Sequence, residues 1–312
     1  MNKSPAISVV VPLYNKASHI ERCVASIQAQ SMADFEVLVV DDGSTDSSFE
    51  AFRRATLDDP RFRIMRQPNG GVSRARNAAI AECRADWIAF LDADDEWHPD
   101  FLAAVVAASN RHPRNVLVGT AFKIIQDEKL ELHRQDAFGE PTLISINEFF
   151  ASWARLGTCP LFIGACAAKR IDLQVIGGFV PGMSLGEELL VFIRLLDRGD
   201  LEYVNRALAT YHLSATGSLS TSPSVKALRS HSALFVELAR QVKLGRCPPS
   251  VYRKWLYMQA EYLIQDGLRV DLLKLLWREP RIWSRQMWLR AALELIGVRA
   301  ILSRLSGRDQ VG

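Results

Sequence analysis

Three carboxylates fall within four residues in the stretch Phe90-Leu91-Asp92-Ala93-Asp94-Asp95. Acids this dense repel one another and are costly to desolvate, so at the end of an apolar run they call for a cation. No Cys or His lies within the stretch. All-oxygen donors suit a hard divalent ion, Mg²⁺ or Mn²⁺, rather than Zn²⁺. Such an ion commonly bridges a protein to a diphosphate. On an extended strand side chains repeat every two residues, which is expected to put Asp92 and Asp94 on one face. The competing use of Asp94 or Asp95 is to cap a helix starting near Pro99, since Pro in a first helical turn after acidic residues is a start signal. Three acids exceed what one cap needs, and Asp95 is the one left for that role.

The elements that must position these acids are strands. Residues 87–91 form an apolar run that reads as a buried strand, and residues 7–11 and 35–40 read likewise. A weaker, edge-like run spans 61–66. Between them lie helical patterns: Ile20, Cys23, Val24 and Ile27 mark an amphipathic helix over 19–30 that Ser18 can cap. A second helix is expected near Thr45, and an Ala-rich third one over 73–83 after the turn Asn69-Gly70-Gly71. Alternating strands and helices with continuous apolar strands indicate an α/β chain with a mostly parallel, doubly wound sheet. Ligands of such sheets bind at the carboxyl ends of the strands. Those ends carry Pro12-Leu13-Tyr14-Asn15, Asp41-Asp42-Gly43 and Asp92-Ala93-Asp94, far apart in sequence and expected to converge on one crevice.

Further along, strands are expected over 116–125, 161–168 and 203–211, the last leading into His212, with helices over 146–156 and 187–196. Beyond Ser224 the strand signals vanish and helices follow, broken at Cys247-Pro248-Pro249, Gly267 and Pro280. The charge divides at the same point. Residues 1–224 hold 22 basic and 28 acidic side chains, whereas residues 225–312 hold 16 and 7. The basic segment also holds four of the seven Trp, at 255, 277, 283 and 288. Basic helices with Trp and Leu faces suit an anionic membrane surface; the alternative is a helical cap on the preceding domain, with Arg solvated and Trp buried.

The 312 residues are 48% hydrophobic and 23% charged, ordinary globular composition with ample core. The five cysteines are scattered and odd in number, as in a reducing, cytoplasmic compartment. No leader peptide and no uncharged apolar run of the ~18 residues a membrane helix requires is visible. The expected location is cytoplasmic, with peripheral contact at the cytoplasmic face of the inner membrane through 225–312. Nucleic acid is not expected as a partner, since the body is acidic and no recognition motif appears. A nicotinamide oxidoreductase is disfavoured because no GxGxxG follows the first strand, where Pro12-Leu13-Tyr14-Asn15 stands instead.

Five segments in order resemble the motifs of the family 2 glycosyltransferases: residues 7–15, 39–46, 69–77, 90–95 and Gly186-Glu187-Glu188. The resemblance covers about residues 6–215. It implies a GT-A fold over 1–224, with a donor half of about 1–115 and an acceptor half of about 116–224, followed by the basic helical region 225–312. It implies an inverting transferase that uses a nucleotide-activated sugar, most often UDP-linked. Pro12 and Tyr14 then belong to the donor site, Tyr14 stacking on the base. Asp41 accepts a hydrogen bond from the uracil imide, while Asp42 serves turn chemistry. Arg76 and Asn77, at a helix start after a Gly-rich turn, favour diphosphate oxygens, and Arg76 can also pair with Asp41 or Asp92.

Asp94 matches the last Asp of the family's DxD motif, the usual direct ligand of Mn²⁺ or Mg²⁺. Asp92 matches the first, facing the ribose or a metal-bound water. His212 stands where related enzymes place a residue against the diphosphate or metal. Glu188 occupies the position of the catalytic base, usually Asp in the family; Glu has the same chemistry and about one methylene more reach. Gly177-Gly178-Phe179 resembles the acceptor side. The function implied is metal-dependent transfer of a sugar to a hydroxyl of a saccharide or lipid-linked saccharide, in cell-surface polysaccharide synthesis. The alternatives are a polyprenyl-phosphate acceptor, already an anion and needing little base catalysis, and a nucleotide-sugar binding protein without transferase activity.

Overall fold

A computed structural model describes residues 4–126, 129–133, 137–138, 142–183, 186–213 and 232–265. The apolar runs at the start form β1 (Ile7–Leu13), β2 (Phe35–Asp41), β3 (Phe62–Arg66) and β4 (Trp87–Phe90). They pair in parallel in the order β3-β2-β1-β4. β1, β2 and β4 are buried almost throughout. That explains why they read as unbroken apolar runs: both faces of a parallel sheet are covered by the crossover helices. Those helices are α1 (Ile20–Gln28), α2 (Ser48–Ala55) and α3 (Val72–Glu82).

Beyond β4 the chain runs through β5 (Glu96–Trp97), α4 (Phe101–Ser109), β6 (Asn115–Gln126), β7 (Lys129–His133), β8 (Leu143–Ile144) and α5 (Ile146–Leu156). Then come β9 (Cys166–Lys169), α6 (Arg170–Val175), α7 (Glu187–Leu196) and β10 (Asp200–Leu213). The sheet continues β4-β9-β6-β10-β5. Here the expectation of parallel pairing gives way. β9 runs antiparallel to both β4 and β6, β10 lies parallel to β6, and β5, β7 and β8 pair antiparallel. The strand expected over 161–168 shrinks to four residues, because Ile163–Ala165 closes a 3-10 turn held by Ala165 N donating to Phe162 O. Trp97 Nε1 donates to Gly164 O at 2.6 Å and fixes that turn against β5.

Element boundaries differ from expectation where side chains intervene. α2 begins at Ser48 rather than near Thr45, because the Asn15 side chain takes up Thr45 N at 2.8 Å and Asp46 N at 3.4 Å. His19, not Ser18, occupies the cap position of α1, without a side-chain capping bond. Asp95 does not cap the helix after Pro99. Asp100 holds the cap position of α4, and Gln30 supplies the missing acceptor, its Oε1 taking Leu102 N at 2.9 Å. α5 matches its expected span and starts with a capping box between Ser145 and Glu148.

The last two helices, α8 (Ser232–Lys243) and α9 (Pro249–Gln265), flank the expected break at Cys247-Pro248-Pro249. Leu234, Phe235, Leu238, Val251, Tyr252 and Leu256 are buried in the same core as the sheet. Trp255 meets Trp153 of α5 edge-on at 6.4 Å. Asp197, at the end of α7, accepts from Arg240 at 2.6 Å and from Arg246. The described part of the basic segment thus packs as a helical cap. Trp277, Trp283, Trp288 and the breaks at Gly267 and Pro280 lie outside the described residues. Among the described residues no helix is long and apolar enough to cross a membrane.

Candidate active site

β2, β1 and β4 are parallel neighbours, so their carboxyl ends lie side by side. At about 4.8 Å per strand, the three ends span roughly 10 Å. The β1–β4 ladder stops at Val10 opposite Phe90, with Leu91 N donating to Val10 O. Pro12, which has no N–H to donate, follows that point and remains paired with Val40 of β2. Tyr14 stands at the rim, 45% exposed. Asn15 adopts a left-handed backbone, φ 51°, which redirects the chain after β1 toward the Thr45 loop that its side chain binds.

Asp41 and Asp42 are both buried but differ in use. Asp42 accepts from Gln67 Nε2, Gly70 N and Gly71 N at 2.7, 2.9 and 2.7 Å, fixing the Gly-rich turn before α3. This is the turn chemistry expected of it. Asp41 Oδ1 accepts from Ser44 N at 3.1 Å. Its Oδ2 lies 2.9 Å from Arg66 Nε in an ion pair, yet no donor is aligned on it for a hydrogen bond.

The acidic cluster is not a continuation of β4. Asp95 N donates to Asp92 O at 3.0 Å, closing a turn, so Asp92 and Asp94 do not share a strand face. Mutual repulsion is met by separate cations. Asp92 Oδ1 is 2.8 Å from Arg76 Nη2, and Asp94 Oδ2 is 2.5 Å from Lys16 Nζ. Arg22 Nη2 donates to the Asp94 carbonyl. Asp95 is buried and accepts from His212 N at 2.9 Å; burial first, then the charges of Asp94 and Asp92, push its carboxyl well above the usual range. The His212 ring turns to Glu96, with Nε2 3.0 Å from Oε1, rather than to Asp92 or Asp94.

One polar face of α3 joins the two halves of the sheet. Ser73, Arg76 and Asn77 are spaced i, i+3, i+4 and so share that face. Ser73 Oγ donates to Met183 O at 3.1 Å. Asn77 donates to Phe179 O at 2.7 Å and accepts from Phe179 N at 2.9 Å, so its amide clamps the Gly177-Gly178-Phe179 loop. Gly178 must be glycine: its φ is +64°, and a Cβ there would stand 2.5 Å from Asn77 Oδ1. Arg76 is 2% exposed and reaches both Asp92, at 2.8 Å, and Glu187 Oε1, at 3.1 Å. Its guanidinium also lies over the Phe179 ring, 5.1 Å from the centroid. Burial opposes its charge, but Asp92, Glu187 and Glu188 outweigh that and raise its pKa. Asn77, expected to face a diphosphate, is occupied by the Phe179 loop, whereas Arg76 is shared between the acidic turn and Glu187. The signal was their helical spacing beside Ser73.

Glu187 and Glu188 open α7 behind Gly186, whose backbone is left-handed at φ 73°. A Cβ on Gly186 would lie 2.9 Å from Leu234 of α8, so the cap helices bear directly on this corner. Glu188 is partly buried. Desolvation first, then the Glu187 charge, raise its carboxyl above the usual range; Arg76 works the other way. A carboxylate so tuned is suited to take a proton near neutral pH.

The acidic turn offers oxygen donors of the kind a hard divalent cation takes. Asp92 Oδ2 and Asp94 Oδ1 accept no hydrogen bond from any described residue, and a Lys ammonium already sits on Asp94. The set is not a finished cage: among the described residues no three His, Cys, Asp or Glu side chains are grouped to hold a metal, and His212 is drawn to Glu96. Lys16 and Arg22 carried no signal in the sequence beyond lying just after the first strand.

Carboxylates gathered at neighbouring strand ends and a desolvated carboxylate across a helical seam make up the candidate site. Residues 8–174 match the model of Glycosyl transferase family 2, and the chain belongs to that family. It is 42% identical over 100 residues to the hyaluronan synthase of Pasteurella multocida, covering 32% of this chain and 10% of that protein. It is 30% identical over 271 residues to the uncharacterized protein y4gI of Sinorhizobium fredii (strain NBRC 101917 / NGR234), covering 82% of this chain and 28% of that one. The chain therefore spans less than a third of either relative. The structure resembles S. aureus TarS 1-349 in complex with UDP-GlcNAc, with a TM-score of 0.64 at 16% identity over 94% of this chain and 87% of that one. It also resembles the mannosyltransferase PcManGT from Pyrobaculum calidifontis in complex with GDP-Man and Mn²⁺, with a TM-score of 0.58 at 20% identity over 96% and 81%. The fold is GT-A, with a mixed sheet flanked by helices.

Proposed function

We propose that this glycosyltransferase is metal-dependent and inverting, moving a sugar from a UDP-sugar to a hydroxyl of a saccharide or lipid-linked saccharide, in cell-surface polysaccharide synthesis. The observation that carries the reading is the Arg76 bridge, which brings the acidic turn at the donor crevice and the Glu187-Glu188 corner into one site. Similarity to polysaccharide synthases and to a structure holding UDP-GlcNAc supports the substrate class.

Tyr14, exposed at the rim, walls the base. Asp41 Oδ2, lacking an aligned donor, accepts the imide N–H of uracil once the exposed Arg66 side chain shifts. Cytosine offers no such donor at that position. Asp94 and Asp92 would hold Mn²⁺ or Mg²⁺, which when bound neutralises charge on the leaving diphosphate. Arg76 orients Asp92, and Asn77 sets the Phe179 loop. Glu188 takes the proton of the acceptor hydroxyl. The acceptor oxygen forms its bond to the anomeric carbon as the bond to the phosphate oxygen breaks, and that electron pair leaves with UDP. A lipid-linked acceptor places the reaction at a membrane surface, to which the basic residues of 225–312 are suited.

The test is a thermal-shift screen with UDP-, GDP-, dTDP- and CDP-sugars, each with and without Mn²⁺. A UDP-sugar with Mn²⁺ is expected to give the largest shift in the wild type and none beyond the metal-free value in Asp94→Ala. A guanine preference, or full metal dependence in Asp94→Ala, overturns the donor and metal assignments respectively.

A further inference from the structure

Three cationic side chains serve the acidic turn, and they differ in freedom. Arg76 is buried and tied to two carboxylates. Arg22 donates to the backbone carbonyl of Asp94 and leaves its carboxylate alone. Lys16 is the one that contacts the Asp94 carboxylate, at 2.5 Å, with the pair still 24% and 20% exposed. The Lys16 backbone is held in place: its N donates to Ser48 Oγ at 2.7 Å, and Asn15 before it is locked onto the Thr45 loop. The four-carbon stem is therefore the movable part. Because the Asp94 carbonyl has its own partner, the turn keeps its shape without the ammonium.

We propose that Lys16 is a resident counter-cation, which neutralises Asp94 in the free enzyme, cedes it to the divalent metal, and then pairs with the donor's diphosphate. This rests on the function proposed above and goes further in assigning a donor-phosphate ligand and an order of events. A divalent ion taken up at Asp94 Oδ1 would stand only a few ångströms from an ammonium on Oδ2 of the same carboxylate, and like-charge repulsion at that range drives the ammonium off. When the metal takes Asp94, the Lys16 ammonium must leave, and the anion that arrives with the metal is the diphosphate. Lys is suited to that second partner as a mobile point charge at a phosphate. Lys16 lies three residues beyond the last residue of β1, at the mouth of the crevice. It follows that metal and nucleotide help each other bind. Metal alone must displace Lys16 for no gain, whereas metal with diphosphate gives the displaced ammonium a new partner, a coupling that is reciprocal by linkage.

The experiment is a Mn²⁺ titration followed by electron paramagnetic resonance of the free ion, with and without UDP, on wild type, Lys16→Met and Lys16→Arg. Lys16→Met is expected to bind Mn²⁺ alone about threefold or more tightly than wild type, since a partly exposed competing ion pair is gone. It should bind UDP more weakly in saturating Mn²⁺, and the mutual enhancement between the two should shrink. Lys16→Arg should retain competition for Asp94. Circular dichroism melting should be nearly unchanged in both variants, which separates these effects from loss of fold. If wild type binds Mn²⁺ and Lys16→Met binds it equally or less tightly, the counter-cation role is overturned while the metal assignment stands. If no protein binds Mn²⁺ with or without UDP, the metal assignment falls and the Lys16 role with it.

Discussion

Replacing Arg76 with Met tests the central joint of the site. Met fills similar space and keeps the apolar contact with Phe179, but it removes the cation between Asp92 and Glu187. Arg76 is 2% exposed and Glu187 9%, while Asp92 is 28% exposed and can regain water. The dominant loss is therefore on the Glu187 side. Breaking a buried pair from one side costs about 3–5 kcal/mol, because a charge is left without compensation. At about 2–4 °C per kcal/mol for a chain of this class, the melting temperature should fall by roughly 10 °C. Adding Glu187→Gln should restore part of the loss, since the stranded charge is then gone too. A second readout is specific to the site. Arg76 holds the Glu188 pKa down, so its removal should push that carboxyl higher still. The active form of a general base is the deprotonated one, so the acid limb of the transfer rate should move to higher pH in Arg76→Met. Differential scanning calorimetry and a pH–rate profile with a UDP-sugar measure both. A variant with unchanged melting temperature and an unmoved acid limb refutes the argument that Arg76 joins the two halves.

Glu188→Gln should keep donor binding by thermal shift but lose about 10²–10⁴ in transfer to a hydroxyl acceptor. Wild-type rates in that variant point instead to a phosphate acceptor, which needs no base. In the wild-type enzyme the rate should rise with pH through a value above the usual carboxylate range, because desolvation and Glu187 favour protonated Glu188. Truncation after Ser224 should leave an insoluble or molten chain, as it strips Leu234, Phe235, Leu238, Val251, Tyr252 and Leu256 from the core and Arg240 and Arg246 from Asp197. A truncated chain that melts cooperatively and still binds UDP-sugar overturns that reading of α8 and α9.

The donor half was legible because its signals are local. β1, β2 and β4 are parallel strands buried on both faces, so each reads as one apolar run, and the residue after such a run must lie at a strand end. The acceptor half depends on pairings that leave less trace. β9 is four residues long and enters antiparallel, and β5 is two residues long; neither length shows a period. Helices α5 and α7 were legible to the residue, since amphipathic spacing and a Gly at one end of each, Gly157 after α5 and Gly186 before α7, mark them. The site followed the same rule. Asp42 could be assigned to a turn from its neighbours, whereas Arg76 reaching Glu187 across 111 positions of chain could not be read from either segment. Lys16 on Asp94, 78 positions apart, was hidden for the same reason.

On the function proposed above, the positions of the basic groups couple the donor turn to the base. Asp92 and Glu187 share one buried guanidinium, so a change in charge at the donor turn is felt at the corner that carries the base. With the donor absent, Asp92 draws on Arg76, and Glu188 keeps its proton more readily. A cation taken up at Asp92 and Asp94 would compete with Arg76 for Asp92 and leave the guanidinium field more fully to Glu187 and Glu188. On that proposal the Glu188 pKa would be lowered and its carboxyl would give up its proton more readily with the donor in place. The proposed base would then be competent only with donor bound. The observable is the acid limb itself: it should lie at lower pH for the ternary complex than for free enzyme, and the difference should vanish in Arg76→Met.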